Sequence, residues 1–191
     1  MKVHTKMIRP SDFEISTILN LLASKNEENT KSIDTLNPSQ STFRTCLQYA
    51  ALNRLLIGLF TAGGEIQGYI VGHSPSILMQ QETVLRLLGI EEIPKPAVSS
   101  LRKCYELLLQ EKYSERILIV QSFVRKSEDQ YNYLSTLLNQ IFLVAKYDGF
   151  KQVAYDVANN EALSTFLKNL GFSHIPHISK EKNKKLMVYS L

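Results

Sequence analysis

NEALSTFLKNLGF, Asn160 to Phe172, reads as a short helix with both of its ends written into it. Asn160 has a short polar side chain that can accept a hydrogen bond from an orphan N–H of the first turn. Gly171, lacking a Cβ, can take the left-handed conformation that closes a helix, after which Phe172 turns back into the core. Working outward, Lys151 to Val157 before this helix reads as a strand, and Phe172 to Ile178 with Leu186 to Leu191 after it read as two closing strands. Lys180, Lys182, Lys184 and Lys185 between the last two belong to a solvated hairpin loop.

Further upstream, Leu134, Leu137, Leu138, Ile141, Phe142 and Ala145 recur on one side of a 3.6-residue period, and Gly149 is the natural stop of that helix. Ile117 to Val124 before it is almost continuously apolar, the pattern of a central strand covered on both faces. Leu55 to Phe60 and Ile66 to Val71 flank Ala62-Gly63-Gly64-Glu65, where glycine supplies the positive φ of a tight hairpin turn. Residues 2 to 9 read as a first strand. In SDFE, Ser11 can cap a helix while Glu14 reaches back, and Ile15, Ile18, Leu19 and Leu22 form its apolar stripe. Phe43, Cys46, Leu47 and Ala50 mark a second helix ending near Asn53. Between the hairpin and the central strand, residues 74–114 hold two apolar stripes separated by Ile93-Pro94-Lys95-Pro96. Proline bars one continuous helix there, so the block reads as two inserted helices.

A chain of 191 residues with 44% hydrophobic content suits one domain with a substantial core, so residues 1–191 are taken as a single unit. No apolar run approaches the roughly 18–20 residues that a membrane span requires. The opening MKVHTKMIRP lacks the features of a secretory signal, which predicts a cytoplasmic protein. Cys46 and Cys104 have neither metal-ligand spacing nor a disulfide framework and are expected to be buried free thiols. His174 and His177, three apart on a strand, point to opposite faces and make a poor metal pair, so no metal site is expected. The net charge of +4 suits an anionic ligand, but no aromatic residues interleave with the lysine cluster as a single-strand nucleic-acid binder would need.

The order strand, helix, helix, hairpin, central strand, helix, strand, helix, two strands resembles the GNAT superfamily of acyl-CoA N-acyltransferases from end to end. MIRPSDFE looks like that family's first strand and helix cap, EIQGYIVG (Glu65 to Gly72) like its third strand, and NEALSTFLKNLGF like its last helix. The resemblance implies an α/β (α+β) fold, a mixed central sheet flanked by helices, with the two-helix insertion between the third and fourth strands. It also implies acetyl-CoA as acyl donor and a primary amine, small or on a protein, as acceptor. The insertion would offer a surface for a homodimer contact or a cover for the acceptor groove.

The resemblance further implies where the chemistry sits. The donor would lie between the central strand and its neighbour, with the backbone around Phe123, Val124 and Arg125 polarising the thioester carbonyl, and Asn160 would offer its amide to the pantetheine or acceptor region. The pyrophosphate would rest on N–H groups at the start of the following helix, where the family has Arg or Gln, two residues, Gly, one residue, then Gly or Ala. Aligned without a gap, that pattern falls on Asp129, Asn132 and Leu134, none of which fits. One extra loop residue places Gln130, Tyr133 and Ser135 there, with Tyr131, Asn132 and Leu134 between and beside them. This register is preferred, because Asp129 would otherwise stand where the pattern has a cation.

Leu167 occupies the position where the family often has a tyrosine that protonates the leaving thiolate. Tyr131, Tyr133 and Ser164 are the candidate substitutes. No carboxylate lies between Ile117 and Val124, where Gln121 and Ser122 can orient a water, so His73 is the candidate base. The contrasting expectation is a domain of this fold that has lost turnover and serves as a binding module, in which Tyr133 or Leu134 plugs the cleft.

Overall fold

The structure is a computed structural model that describes residues 2–10, 15–18, 47–74, 116–157, 160–175 and 186–191. Ser11, Leu19, Leu22, Phe43, Cys46, Cys104, His177 and the lysine cluster lie outside the described residues. So does the 74–114 insertion apart from Ser74.

The described elements are β1 (Val3–Met7), β2 (Leu56–Thr61), β3 (Ile66–His73), β4 (Ile117–Val124), α1 (Gln130–Tyr147), β5 (Gln152–Asp156), α2 (Glu161–Asn169), β6 (Ser173–His174) and β7 (Leu186–Ser190). The strands form one sheet in the order β1-β2-β3-β4-β5-β7-β6. Neighbours run antiparallel except β4 and β5, which are parallel. A parallel pair needs a crossover connection, and α1 supplies it. The sheet is therefore mixed, as the resemblance implied.

Alternation along the strands sends side chains to two cores. Ile70, Leu118, Val120, Val153 and Tyr155 pack with Leu137, Leu138, Ile141 and Ala145 of α1 and Leu167 of α2. Tyr69 and Val71 pack on the other face with Ile15, Ile18, Leu47 and Ala50, whose segments 15–18 and 47–52 are helical. Leu137, Leu138 and Ile141 are fully buried, and each such side chain stabilises the fold by about 1.5–3 kcal/mol.

The local signals act as read. Asn160 caps α2, its Oδ1 accepting from the Leu163 N–H at 3.0 Å. Gly171 follows with φ +93°, and Phe172 enters the core as its N–H donates to the Leu167 carbonyl at 3.0 Å. Gly64 has φ +84° in the β2–β3 hairpin and Gly149 has φ +80° after α1.

β4 has the boundaries expected of it, but not uniform cover. Ile117 to Val120 are buried, whereas Gln121 is exposed and Ser122 to Val124 are half-buried. The change falls where β5 parts from β4, so the far half of the strand loses a neighbour on one edge.

Candidate functional site

β4 pairs with β3 from His73↔Ile119 to Gly68↔Val124. Its parallel ladder with β5 runs only from Ile117↔Gln152 to Val120↔Tyr155. Beyond that rung β4 continues through residues 121–124 while β5 does not accompany it, and the sheet forks. β3 helps to fix this end of β4. Leu59 pairs with Gly68 but Phe60 pairs with Ile66, so Gln67 is an extra residue, a β-bulge. The Gln67 carbonyl accepts the Arg125 N–H at 2.8 Å, which extends the hold of β3 one residue past β4. Opposite Val124, a Cβ on Gly68 would stand 2.6 Å from the Phe123 carbonyl oxygen, so this close approach of backbones requires glycine.

Past Arg125 the chain turns into α1. The N-cap is Asp129, whose side chain makes no capping hydrogen bond, and no acidic residue lies in the first turn. The Gln130 N–H donates to the Ser127 carbonyl at 3.2 Å and the Tyr133 N–H to the Asp129 carbonyl at 3.0 Å. The N–H groups of Tyr131 and Asn132 make no hydrogen bond among the described residues. Two donors at the positive end of an 18-residue helix thus remain for an anion.

The expected site residues divide between this region and the core. Arg125 and Asn132 are exposed, while Gln130, Tyr131 and Ser135 are half-buried. Tyr133 and Leu134 are 7% and 5% exposed and belong to the core beneath α1. That helix packs chiefly over β2, β3 and β4. Tyr133 precedes Leu137 by one helical turn on the same buried face, so its ring fills a core position and Asn132 is the outward residue of the turn. The Phe123 ring stacks on Tyr69 at 6.0 Å on the opposite face, and Val124 packs against the α1-side core. Tyr131 packs on Phe166 at 4.9 Å between ring centroids, joining the first turn of α1 to α2. Asn160 is exposed, with its carbonyl oxygen committed to the cap.

Leu167 is fully buried in the α1-side core. Ser164 is committed elsewhere, its Oγ hydrogen-bonded to His174 Nε2 at 3.3 Å and donating to Met187 Sδ at 3.7 Å. His73 is 4% exposed, and burial pulls its pKa down to about 4, so the imidazole is neutral. Burial, with a smaller contribution from charge on Tyr155, pushes the Tyr69 phenol above its ordinary value and keeps it protonated. Among the described residues no group of three or more His, Cys, Asp and Glu could hold a metal ion. No described helix is long and apolar enough to cross a membrane.

Sequence reasoning passed over three features of this region. Gly68 lies within the strand-like stretch Glu65 to Gly72, and a glycine inside a strand pattern is itself a sign of close backbone approach. Phe166 and Tyr155 carried no local signal. The hydroxyl of Tyr155 is hydrogen-bonded to Ser122 Oγ, at the base of the fork.

No protein-family model matches the sequence, and no curated protein matches it either. Solved structures do. SsHAT superposes with a TM-score of 0.68 at 15% identity, over 100% of this chain and 98% of its own. An acetyltransferase of the GNAT family from Staphylococcus aureus Mu50 gives 0.64 at 10% identity, over 100% and 99%. The Drosophila melanogaster polyamine N-acetyltransferase, an enzyme that forms N-acetylagmatine, gives 0.64 at 11% identity, over 100% and 99%. At such identities what is shared is the backbone: along its whole length, this chain has the fold of the GNAT acetyltransferases.

Proposed function

We propose that the protein is an acyl-CoA-dependent N-acyltransferase, most simply an N-acetyltransferase, in which a primary amine attacks the thioester directly. The observation that carries this reading is the fork, where β4 runs on past Val120↔Tyr155 and leads into a helix whose Tyr131 and Asn132 N–H groups make no hydrogen bond among the described residues. An extended pantetheine chain suits the strand edge that β5 leaves, and a pyrophosphate suits the helix end. The residues present therefore fit acetyl-CoA, which supplies the activated acyl group.

In this reading the main chain from Phe123 to Arg125 polarises the thioester carbonyl. The Tyr131 and Asn132 N–H groups receive the pyrophosphate, with the side chains of Gln130, Asn132 and Ser135 around it. Tyr133 and Leu134 support that turn from the core, and Asn160 directs its remaining amide N–H groups outward. The acceptor is a primary amine, the class of chemistry that the Drosophila neighbour's product, N-acetylagmatine, represents.

The amine must reach the thioester uncharged. A base whose conjugate acid has a pKa of about 4 is about six units too weak to match an alkylammonium near 10.4. His73 accordingly serves the core, and the proton leaves through water oriented by the exposed Gln121.

The contrasting reading, a binding module without turnover, is supported by Leu167, an apolar residue at 0% exposure where the family often has a tyrosine. Calorimetric titration with acetyl-CoA separates the two. Saturable binding in the micromolar range with release of free thiol on adding amines is expected, and no binding at millimolar acetyl-CoA would reject the enzyme reading.

A further inference from the structure

Leu167 puts an apolar, fully buried side chain where the family resemblance implies a tyrosine, yet the same core contains another hydroxyl. Tyr155 stands on the last rung of the β4–β5 ladder and is 4% exposed. Its hydroxyl is hydrogen-bonded to Ser122 Oγ, on the first β4 residue beyond that rung whose side chain shares the face of Val120. Tyr155 and Leu167 belong to one core cluster on the α1 and α2 side of the sheet. The hydroxyl pair therefore lies on the face from which a polar residue at position 167 would have approached.

We propose that the Tyr155–Ser122 pair is the hydrogen-bond donor that meets the negative charge on a thiolate leaving through the fork. The inference rests on the acyl-CoA reading above. A phenol is the stronger donor of the two groups and an alkyl hydroxyl the better acceptor, so Tyr155 donates and Ser122 accepts. That leaves the Ser122 proton to point away from Tyr155. Ser122 is half-buried rather than sealed in the core, so its proton can face the opening.

When the bond to sulfur breaks, its electron pair stays on sulfur, and Ser122 stabilises that charge by donation without losing its proton. Donation suits the surroundings better than proton release. A tyrosinate at position 155 would lie in the core and near the Tyr69 phenol, whose own ionisation is already opposed by burial and by charge on Tyr155. Ser122 is the catalytic residue in this scheme and Tyr155 the positioning residue.

A donor to sulfur favours the thiolate and lowers the pKa of a bound thiol. The test is a pH titration of the thiolate absorbance of CoA bound to the full chain, a readout that needs no acceptor amine. Ser122→Ala is expected to raise that pKa by about one unit, equivalent to a tenfold loss of thiolate preference. Tyr155→Phe should raise it by a smaller amount, and Ser122→Thr should restore the wild-type value. Loss of kcat in Ser122→Ala with KM for acetyl-CoA retained would agree.

Circular dichroism and acetyl-CoA affinity, both expected to match the wild type, separate these effects from misfolding. If the variants bind CoA normally and its thiol titrates as in the wild type, the hydroxyl-pair inference is overturned while the acyl-CoA reading stands. If the wild-type chain binds no CoA, both fall together.

Discussion

Replacing Gly68 by alanine probes the geometry on which the fork depends. The added Cβ would sit 2.6 Å from the Phe123 carbonyl oxygen and 3.1 Å from the Val124 Cα, both backbone atoms of β4. Neither can rotate away, so β3 and β4 must separate by several tenths of an ångström at the rung Gly68↔Val124. Overpacking of this kind destabilises by about 1–3 kcal/mol. For a chain of this size a mid-range loss of about 2 kcal/mol lowers Tm by about 4–8 °C.

The displaced backbone includes Phe123 to Arg125, which in the proposed function faces the thioester, and misplacement by about 1 Å can cost on the order of 100-fold in rate. Thermal denaturation gives the first effect. Acetyl-CoA titration with single-turnover kinetics gives the second, which should exceed that of an equally destabilising change in the opposite half of the sheet. A Gly68→Ala protein with unchanged Tm and unchanged turnover would refute the close approach of β3 to β4 and the role assigned to this end of β4.

Three further outcomes follow from individual residues. Asp129→Asn removes a carboxylate from the N-cap without loss of a capping bond. A carboxylate near an anion repels it by about 1–3 kcal/mol at intermediate dielectric, so the acetyl-CoA Kd should fall at least about fivefold by calorimetry. For His73 the folded pKa of about 4 lies below the ordinary 6.5, so between those values the unfolded chain binds the extra proton. Its contribution is present above pH 6.5 and lost as pH falls towards 4, a total on the order of 3 kcal/mol. Denaturant unfolding across that window should be flatter in His73→Gln by up to about 1.4 kcal/mol per pH unit. Asn160→Ala deletes the acceptor for the Leu163 N–H and should cost about 1 kcal/mol by denaturant unfolding, with Asn160→Asp close to the wild type.

The elements whose signals are local were legible in the chain. Asn160, Gly171 and Phe172 mark the ends of α2 because a cap, a left-handed turn and a core aromatic are each set by a residue's own covalent geometry. Leu134 to Ala145 reveal a helix because burial on one face imposes its period. The central position of β4 was legible from its almost continuously apolar run, and the order of elements was enough to point to the fold.

What depended on distant pairing was hidden. Nothing in Ile117 to Val124 says that β5 leaves at Val120, because that point is set by the register with a strand separated from it by all of α1. For the same reason the sequence could not bring Tyr155 to Ser122 or set Gly68 against Phe123. Tyr133, read as part of a phosphate-binding turn, is a core residue because helix phase relative to the sheet decides which side chains turn inward. By itself the sequence determined which of the described segments form helices and strands and in what order. Only the tertiary structure decided where the sheet forks and which groups stand beside the opening, because backbone pairing across the sheet is a property of two strands and not of either one.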